Sequence, residues 1–118
     1  MNKFKRFSVP LLLLLCTTAC EGESSREVIE TTFEDNLGVD LPSNYLVVEN
    51  VWSSNIDYSA TYSIEFDADT FAEFVQQLDM KKWRSDYEGV YDFIEPVRKG
   101  VYIQMFPERK SLSYLYSR

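Results

Sequence analysis

Between residues 56 and 66 the chain alternates: Ile56, Tyr58, Ala60, Tyr62, Ile64 and Phe66 are apolar, and Asp57, Ser59, Thr61, Ser63 and Glu65 between them are polar. Successive strand side chains point to opposite faces, so this period of two predicts an antiparallel strand covering a core on one side and meeting water on the other. Tyr45 to Trp52, rich in β-branched and aromatic residues, reads as the preceding strand, with Ser53, Ser54 and Asn55 as the connecting loop.

Helical spacing brackets this pair. Ser24 and Glu27 stand at capping-box distance, Val28, Ile29, Thr32 and Phe33 recur on one helical face, Gly38 is a stop, and Leu41 to Asn44 is a turn. Thr70 and Glu73 repeat the capping box, and Phe71, Phe74, Val75 and Leu78 then form one apolar stripe. Lys81 and Lys82 suit the negative end of that helix's dipole, and Trp83 is expected to fold back onto the core. Val90 to Ile94, Val101 to Phe106 and Leu112 to Tyr116 follow as strands, with turns at Arg98 to Gly100 and Pro107 to Lys110. The order α-β-β-α-β-β-β predicts the α+β class, with an antiparallel sheet of about five strands and two helices on one face. No internal repeat or interior linker divides residues 25–118, which read as a single domain.

Residues 1–19 follow a different logic. Lys3, Lys5 and Arg6 give a positive start, Phe7 to Leu15 an apolar run, and Thr17, Thr18 and Ala19 small residues before Cys20. The run is shorter than the roughly 20 apolar residues a spanning helix needs, and its flanks are those of an export signal. At Thr17, Thr18, Ala19 and Cys20 the segment resembles a bacterial lipoprotein signal peptide. That resemblance implies removal of residues 1–19, a diacylglyceryl group on the Cys20 sulfur, and acylation of the new amino terminus. It makes the protein a membrane-anchored envelope lipoprotein. In a Gram-negative host, Glu21 after the cysteine implies delivery to the outer membrane, facing the periplasm. An ordinary secretory signal cut after Ala19, leaving a free thiol at Cys20, satisfies the same small-residue rule. Residues 20–24 read as the lipidated cysteine and a tether that spans at most about 14 Å from Glu21 to Ser24.

Charge narrows the partners. Without residues 1–19, nineteen acids stand against nine bases, a formal charge of -10. So acidic a chain is repelled by nucleic acid and by anionic head groups, which leaves membrane contact to the lipid anchor and favours a cationic protein or peptide as partner. Cys20 is then the sole cysteine, so no disulfide can form within the domain and apolar burial must hold it together.

The absence of His from the sequence removes Ser-His and Cys-His nucleophile pairs and a His-based zinc site, and there is no glycine-rich phosphate loop. No catalytic, metal-binding or cofactor-binding residue is assigned, and no cofactor is expected. Asp67 and Asp69 form an Asp-x-Asp where a strand gives way to a helix. Helix capping accounts for them better than a calcium site, which needs six to eight oxygen ligands. Asp86, Glu88, Asp92 and Glu95 in one segment, with Asp57 and Glu65 on one strand face, supply carboxylates for glycoside hydrolysis, but nothing selects a pair. A carboxylate-based glycan hydrolase therefore ranks third. Ahead of it stand a non-enzymatic binding domain and an acidic inhibitor or immunity-type protein directed at a basic envelope enzyme.

The candidate binding face is aromatic. Tyr91, Phe93, Tyr102, Phe106, Tyr114 and Tyr116 recur along the last three strands; alternation sets Tyr91 and Phe93 against Val90 and Ile94, and Tyr102 and Phe106 against Val101, Ile103 and Met105. Not all six can meet the helices, so some aromatic surface is expected on the open face of the sheet. There a tyrosine ring supplies contact area while its hydroxyl stays hydrated or bonds a partner. Cross-strand aromatic pairing that only stabilises the sheet accounts for the same residues.

Overall fold

A computed structural model describes residues 21–54, 57–86 and 88–118. The expectations for residues 1–19, Cys20, Asn55 and Ile56 lie outside the described residues. The fold is α+β: one antiparallel sheet of seven strands with two α-helices. The strands are β1 (Glu21–Gly22), β2 (Tyr45–Ser54), β3 (Tyr58–Phe66), β4 (Trp83–Ser85), β5 (Tyr91–Phe93), β6 (Val101–Phe106) and β7 (Ser111–Ser117), in the order β1-β2-β3-β7-β6-β5-β4. The helices are α1 (Arg26–Leu37) and α2 (Ala68–Gln76).

Seven strands replace the five expected. The additional two, β1 and β4, are the edges of the sheet, and with two and three residues they are too short to show alternation. Ser53 and Ser54 belong to β2 rather than to a loop, and β5 is shorter than Val90 to Ile94.

Both helices form where apolar spacing predicts, each with a different cap. Ser25 rather than Ser24 caps α1, its hydroxyl accepting the Val28 N–H at 3.2 Å. Gly38 ends α1 in the left-handed region that favours glycine, at φ 71°, and donates its N–H to Glu34 O. The buried stripe of α1 is Ile29, Phe33 and Leu37; Val28 is 47% exposed, one residue off the stripe. Asp67, not Thr70, caps α2, accepting the Thr70 N–H at 2.8 Å. Thr70 is buried instead and accepts from Asn44 Nδ2 at 3.0 Å. Lys81 and Lys82 lie beyond the end of α2 in a 3-10 turn, Met80–Lys82. Trp83 does fold onto the core, against Phe93.

The core lies between the helices and one face of the sheet. Ala60, Tyr62, Ile64 and Phe66 of β3 are buried, as the alternation predicts, beside Leu112 and Tyr114 of β7 and Ile103 and Met105 of β6. Phe33 of α1 meets Tyr114 edge-on at 6.1 Å, and Phe74 of α2 stacks on Phe66 at 5.4 Å.

The segment expected to serve as a tether is part of the sheet. Glu21 pairs with Ser53 and Gly22 with Trp52. Gly22 lies flat on the Trp52 indole; a Cβ there would sit 2.9 Å from the ring. The Ser24 N–H donates to Asn50 Oδ1 at 2.8 Å, Asn50 Nδ2 donates to Ser24 O at 2.9 Å, and Ser24 Oγ lies 2.6 Å from the Tyr62 hydroxyl. Glu21, Gly22 and Ser24 are thus held against the C-terminal half of β2.

Candidate functional site

Strand register lays out the face of the sheet turned away from the helices in cross-strand rows. Val51, Thr61, Leu115 and Tyr102 stand side by side on β2, β3, β7 and β6. Tyr102 is 62% exposed, and Leu115 and Val51 are each 42% exposed. The next row is polar across six strands: Glu49, Ser63, Ser113, Gln104, Asp92 and Arg84. Its members bond to one another. Ser63 Oγ donates to Glu49 Oε1 at 3.2 Å and lies 3.0 Å from Ser113 Oγ, and Gln104 Nε2 donates to Asp92 Oδ1 at 2.8 Å. A third row holds Leu46, Glu65, Ser111 and Phe106, with the Arg109 guanidinium 4.4 Å above the Phe106 ring.

The structure divides the six aromatics of the candidate face. Tyr102 and Phe106 lie on the open face, as their opposition to Val101, Ile103 and Met105 predicts. Tyr114, 5% exposed, and Tyr116 turn toward the helices. Tyr114 stacks on Tyr62 at 5.4 Å, and Tyr116 packs on Tyr58 at 5.7 Å with the Arg98 guanidinium 4.6 Å above its ring. Phe93 is buried against Trp83, and Tyr91 lies half-buried opposite Met105, also on the helix side. Cross-strand aromatic pairing thus accounts for Tyr114, Tyr116 and Phe93, and Tyr91 pairs with Met105 instead.

The buried tyrosines carry a titration signature. Burial, reinforced by the hydrogen bond to Glu30 and its charge, pushes the Tyr45 hydroxyl well above its usual range. Burial likewise raises Tyr58, with Tyr62 adding to it, and raises Tyr114 against the opposing pull of Arg98.

Asp67, Asp86 and Asp92 have structural tasks. Asp67 is held below the usual carboxylate range by the Thr70 N–H and then its hydroxyl, the signature of a helix cap. Asp86 closes the turn before β5, its carboxylate accepting the N–H groups of Glu88 at 2.8 Å and Val90 at 3.1 Å. Asp92 is engaged by Gln104, and Glu95 is exposed. Glu65 and Asp57 are eight residues apart along nearly straight chain, about 26 Å at strand rise, which is outside the separation a glycosidase pair requires. Among the described residues no three acids converge as a metal site, and no helix is long and apolar enough to cross a membrane.

No known family model, curated protein or solved structure matches this chain.

Nine of the nineteen acids lie in the helical layer. Glu27, Glu30, Glu34 and Asp35 on α1, Asp40 after it, Asp67 and Asp69 at the start of α2, Glu73 within it and Asp79 beyond it share that layer with Arg26, Lys81 and Lys82, and Arg98 lies over Tyr116 on the same side of the sheet. On the open face Glu49, Glu65 and Asp92 are interleaved with Arg84 and Arg109. Sequence reasoning missed Val51, Leu115, Arg84 and Gln104. Leu115 carries a readable signal, being apolar in the wet phase that Ser111, Ser113 and Ser117 share; Val51 does not, because the bulge between Val47 and Glu49 shifts the phase of β2 and puts Val51 on the face opposite Tyr45.

Proposed function

We propose that this chain is a lipid-anchored envelope protein, tethered at Cys20, whose globular part binds an envelope component rather than transforming one. The exposed row of Tyr102, Leu115 and Val51 carries this reading, since it puts apolar area on a face that neither helix covers. Tyr102 supplies a flat ring with a hydroxyl at its edge, and the adjoining polar row offers acceptors and donors already held in place by hydrogen bonds. A lipid on Cys20 would place this domain against the membrane without slack, because the following residues are already paired in the sheet. Several buried acyl chains, at about 0.8 kcal/mol per CH2, would make that anchorage lasting. In a Gram-negative cell the location would be the periplasmic side of the outer membrane.

Fractionation of cells carrying the native chain, Cys20→Ser, and Cys20→Ser with Tyr102→Ala tests both parts. The Cys20→Ser protein is expected to leave the lipid bilayer while keeping residual retention on envelope material, and the double variant to lose that retention. Continued flotation of Cys20→Ser with membranes would refute the anchor; equal retention of the two serine variants would refute the binding face.

The concentration of acids on the helical layer favours a second reading, an acidic inhibitor or immunity-type protein that covers a basic envelope enzyme with α1 and α2. Binding of that kind weakens steeply with salt, whereas binding at the open face does not. The hydrolase reading has no comparable geometric support.

A further inference from the structure

β5 stays with β4 but leaves β6 after two paired positions. Its register with β6 consists of Tyr91↔Met105 and Asp92↔Gln104, whereas toward β4 it continues through Trp83↔Phe93 and on to Ile94, whose N–H donates to Lys82 O at 2.9 Å. Where the strands part, a cleft of about 390 Å³ opens, within the range of small-molecule sites. Ile94, Pro96 and the Tyr102 ring form its apolar walls, and Arg84, Asp92 and Gln104 its polar groups. The far wall does not swing freely, because the Val97 N–H donates to Asn36 Oδ1 of α1 at 3.0 Å.

Three properties define what fits. Tyr102 offers a broad exposed ring face, suited to another flat apolar surface such as the C–H face of a pyranose. The hydrogen bond between Gln104 and Asp92 fixes two planar polar groups side by side and leaves the Gln104 carbonyl and a second Asp92 oxygen to receive hydroxyl protons. Arg84 brings an exposed guanidinium directly across the strands from Asp92 but not ion-paired to it: among the described residues the one ion pair within 4.0 Å is Arg26 with Glu30. A guanidinium in a ligand cleft selects a carboxylate through paired N–H donors. An acyl chain would make no use of the hydrogen-bonding groups of Arg84, Asp92 and Gln104, so a hydroxylated ring suits the cleft better than a lipid tail.

We propose that the cleft between β5 and β6 binds a carboxylate-bearing sugar ring, stacked on Tyr102, with its hydroxyls on Asp92 and Gln104 and its carboxylate on Arg84. This rests on the reading of the open face as a binding surface, and it names the ligand class.

The test is calorimetric titration of the purified full-length chain in detergent with N-acetylmuramic acid, with N-acetylglucosamine, which has the same ring without the lactyl carboxylate, and with the dipeptide N-acetyl-alanyl-alanine. N-acetylmuramic acid is expected to bind roughly tenfold more tightly than N-acetylglucosamine, the worth of one charge-assisted contact. Arg84→Gln should erase that difference, and Tyr102→Ala should weaken both sugars. Both side chains are exposed, so unchanged thermal unfolding will show that the variants are folded. Equal binding of the two sugars, indifference to Arg84→Gln, preference for the dipeptide, or no sugar binding would each overturn the proposal. Failure here together with Tyr102-dependent envelope retention would discard the sugar and keep the binding face; loss of both would discard the face as well.

Discussion

On the helix side of the sheet, Ile64, Leu112, Ile103 and Met105 are sealed beneath α1 and α2; on the other side of the same strands, Glu65, Ser113, Gln104 and Tyr102 meet water or one another through hydrogen bonds. The two faces are one residue out of phase along each strand, yet they are assembled differently. The covered face is a contiguous apolar cluster with aromatic pairs, which supplies stability by burial. The open face alternates apolar and polar rows across strands, an order visible only once the register is known. Aromatic content alone therefore does not mark a binding surface here: Tyr114 and Tyr116 work in the core, and Tyr102, in the same cross-strand region, faces outward.

Substitutions should separate the two faces sharply. Phe74→Ala or Phe33→Ala, at side chains with no exposed surface, should cost about 3–5 kcal/mol in denaturant unfolding. Equal tolerance of these changes and of open-face changes would erase the distinction. Gly22→Val comes next: its side chain must displace the Trp52 ring, so β1 should detach and the amides of the Ser53 region should lose protection in hydrogen exchange, while the helix-covered core keeps its own.

Titration sharpens the same contrast. The folded pKa values of Tyr45, Tyr58 and Tyr114 lie above the ordinary 10.0, so the fold favours their neutral forms. The stability they contribute is complete below pH 10 and is lost as pH rises through the higher folded values. Tyr114→Phe should blunt that alkaline loss. At the acid end, Asp67 is held below its ordinary 3.8, so its contribution is present above that pH and disappears as pH falls through the lower folded value. Asp67→Ala should lower the thermal midpoint and remove this acid dependence, with Asp67→Asn milder because asparagine also caps. The smallest effect belongs to Tyr102→Ala, expected within about 0.5 kcal/mol of the native stability.

The helices, β3, β6 and β7 were legible in the sequence because each is long enough to display its period, and β2 because it is rich in β-branched and aromatic residues, although a bulge between Val47 and Glu49 breaks its alternation. β3 showed its buried residues outright, and Gly38 marked the end of α1 through its backbone freedom. β1 and β4 were invisible because pairing of two or three residues at an edge is decided by neighbours rather than by local pattern. The inward turn of Tyr91 and Phe93 was missed for a related reason: register with Met105 and Trp83 sets the phase of β5, and Ile94 lies beyond the strand, exposed. Tyr102 and Phe106 lie opposite Val101, Ile103 and Met105, and the strict alternation of those three apolar residues fixes the phase of β6. The polar row and the cleft depend on side chains from strands far apart in the chain, which no local pattern records.

Site-specific photo-crosslinking in living cells compares the two surfaces most directly, with a benzophenone side chain replacing Tyr102 in one strain and Glu27 on α1 in another. Abundant, discrete adducts from position 102 and none from position 27 are predicted. Adducts from position 27 with none from position 102 would contradict the assignment of binding to the open face of the sheet.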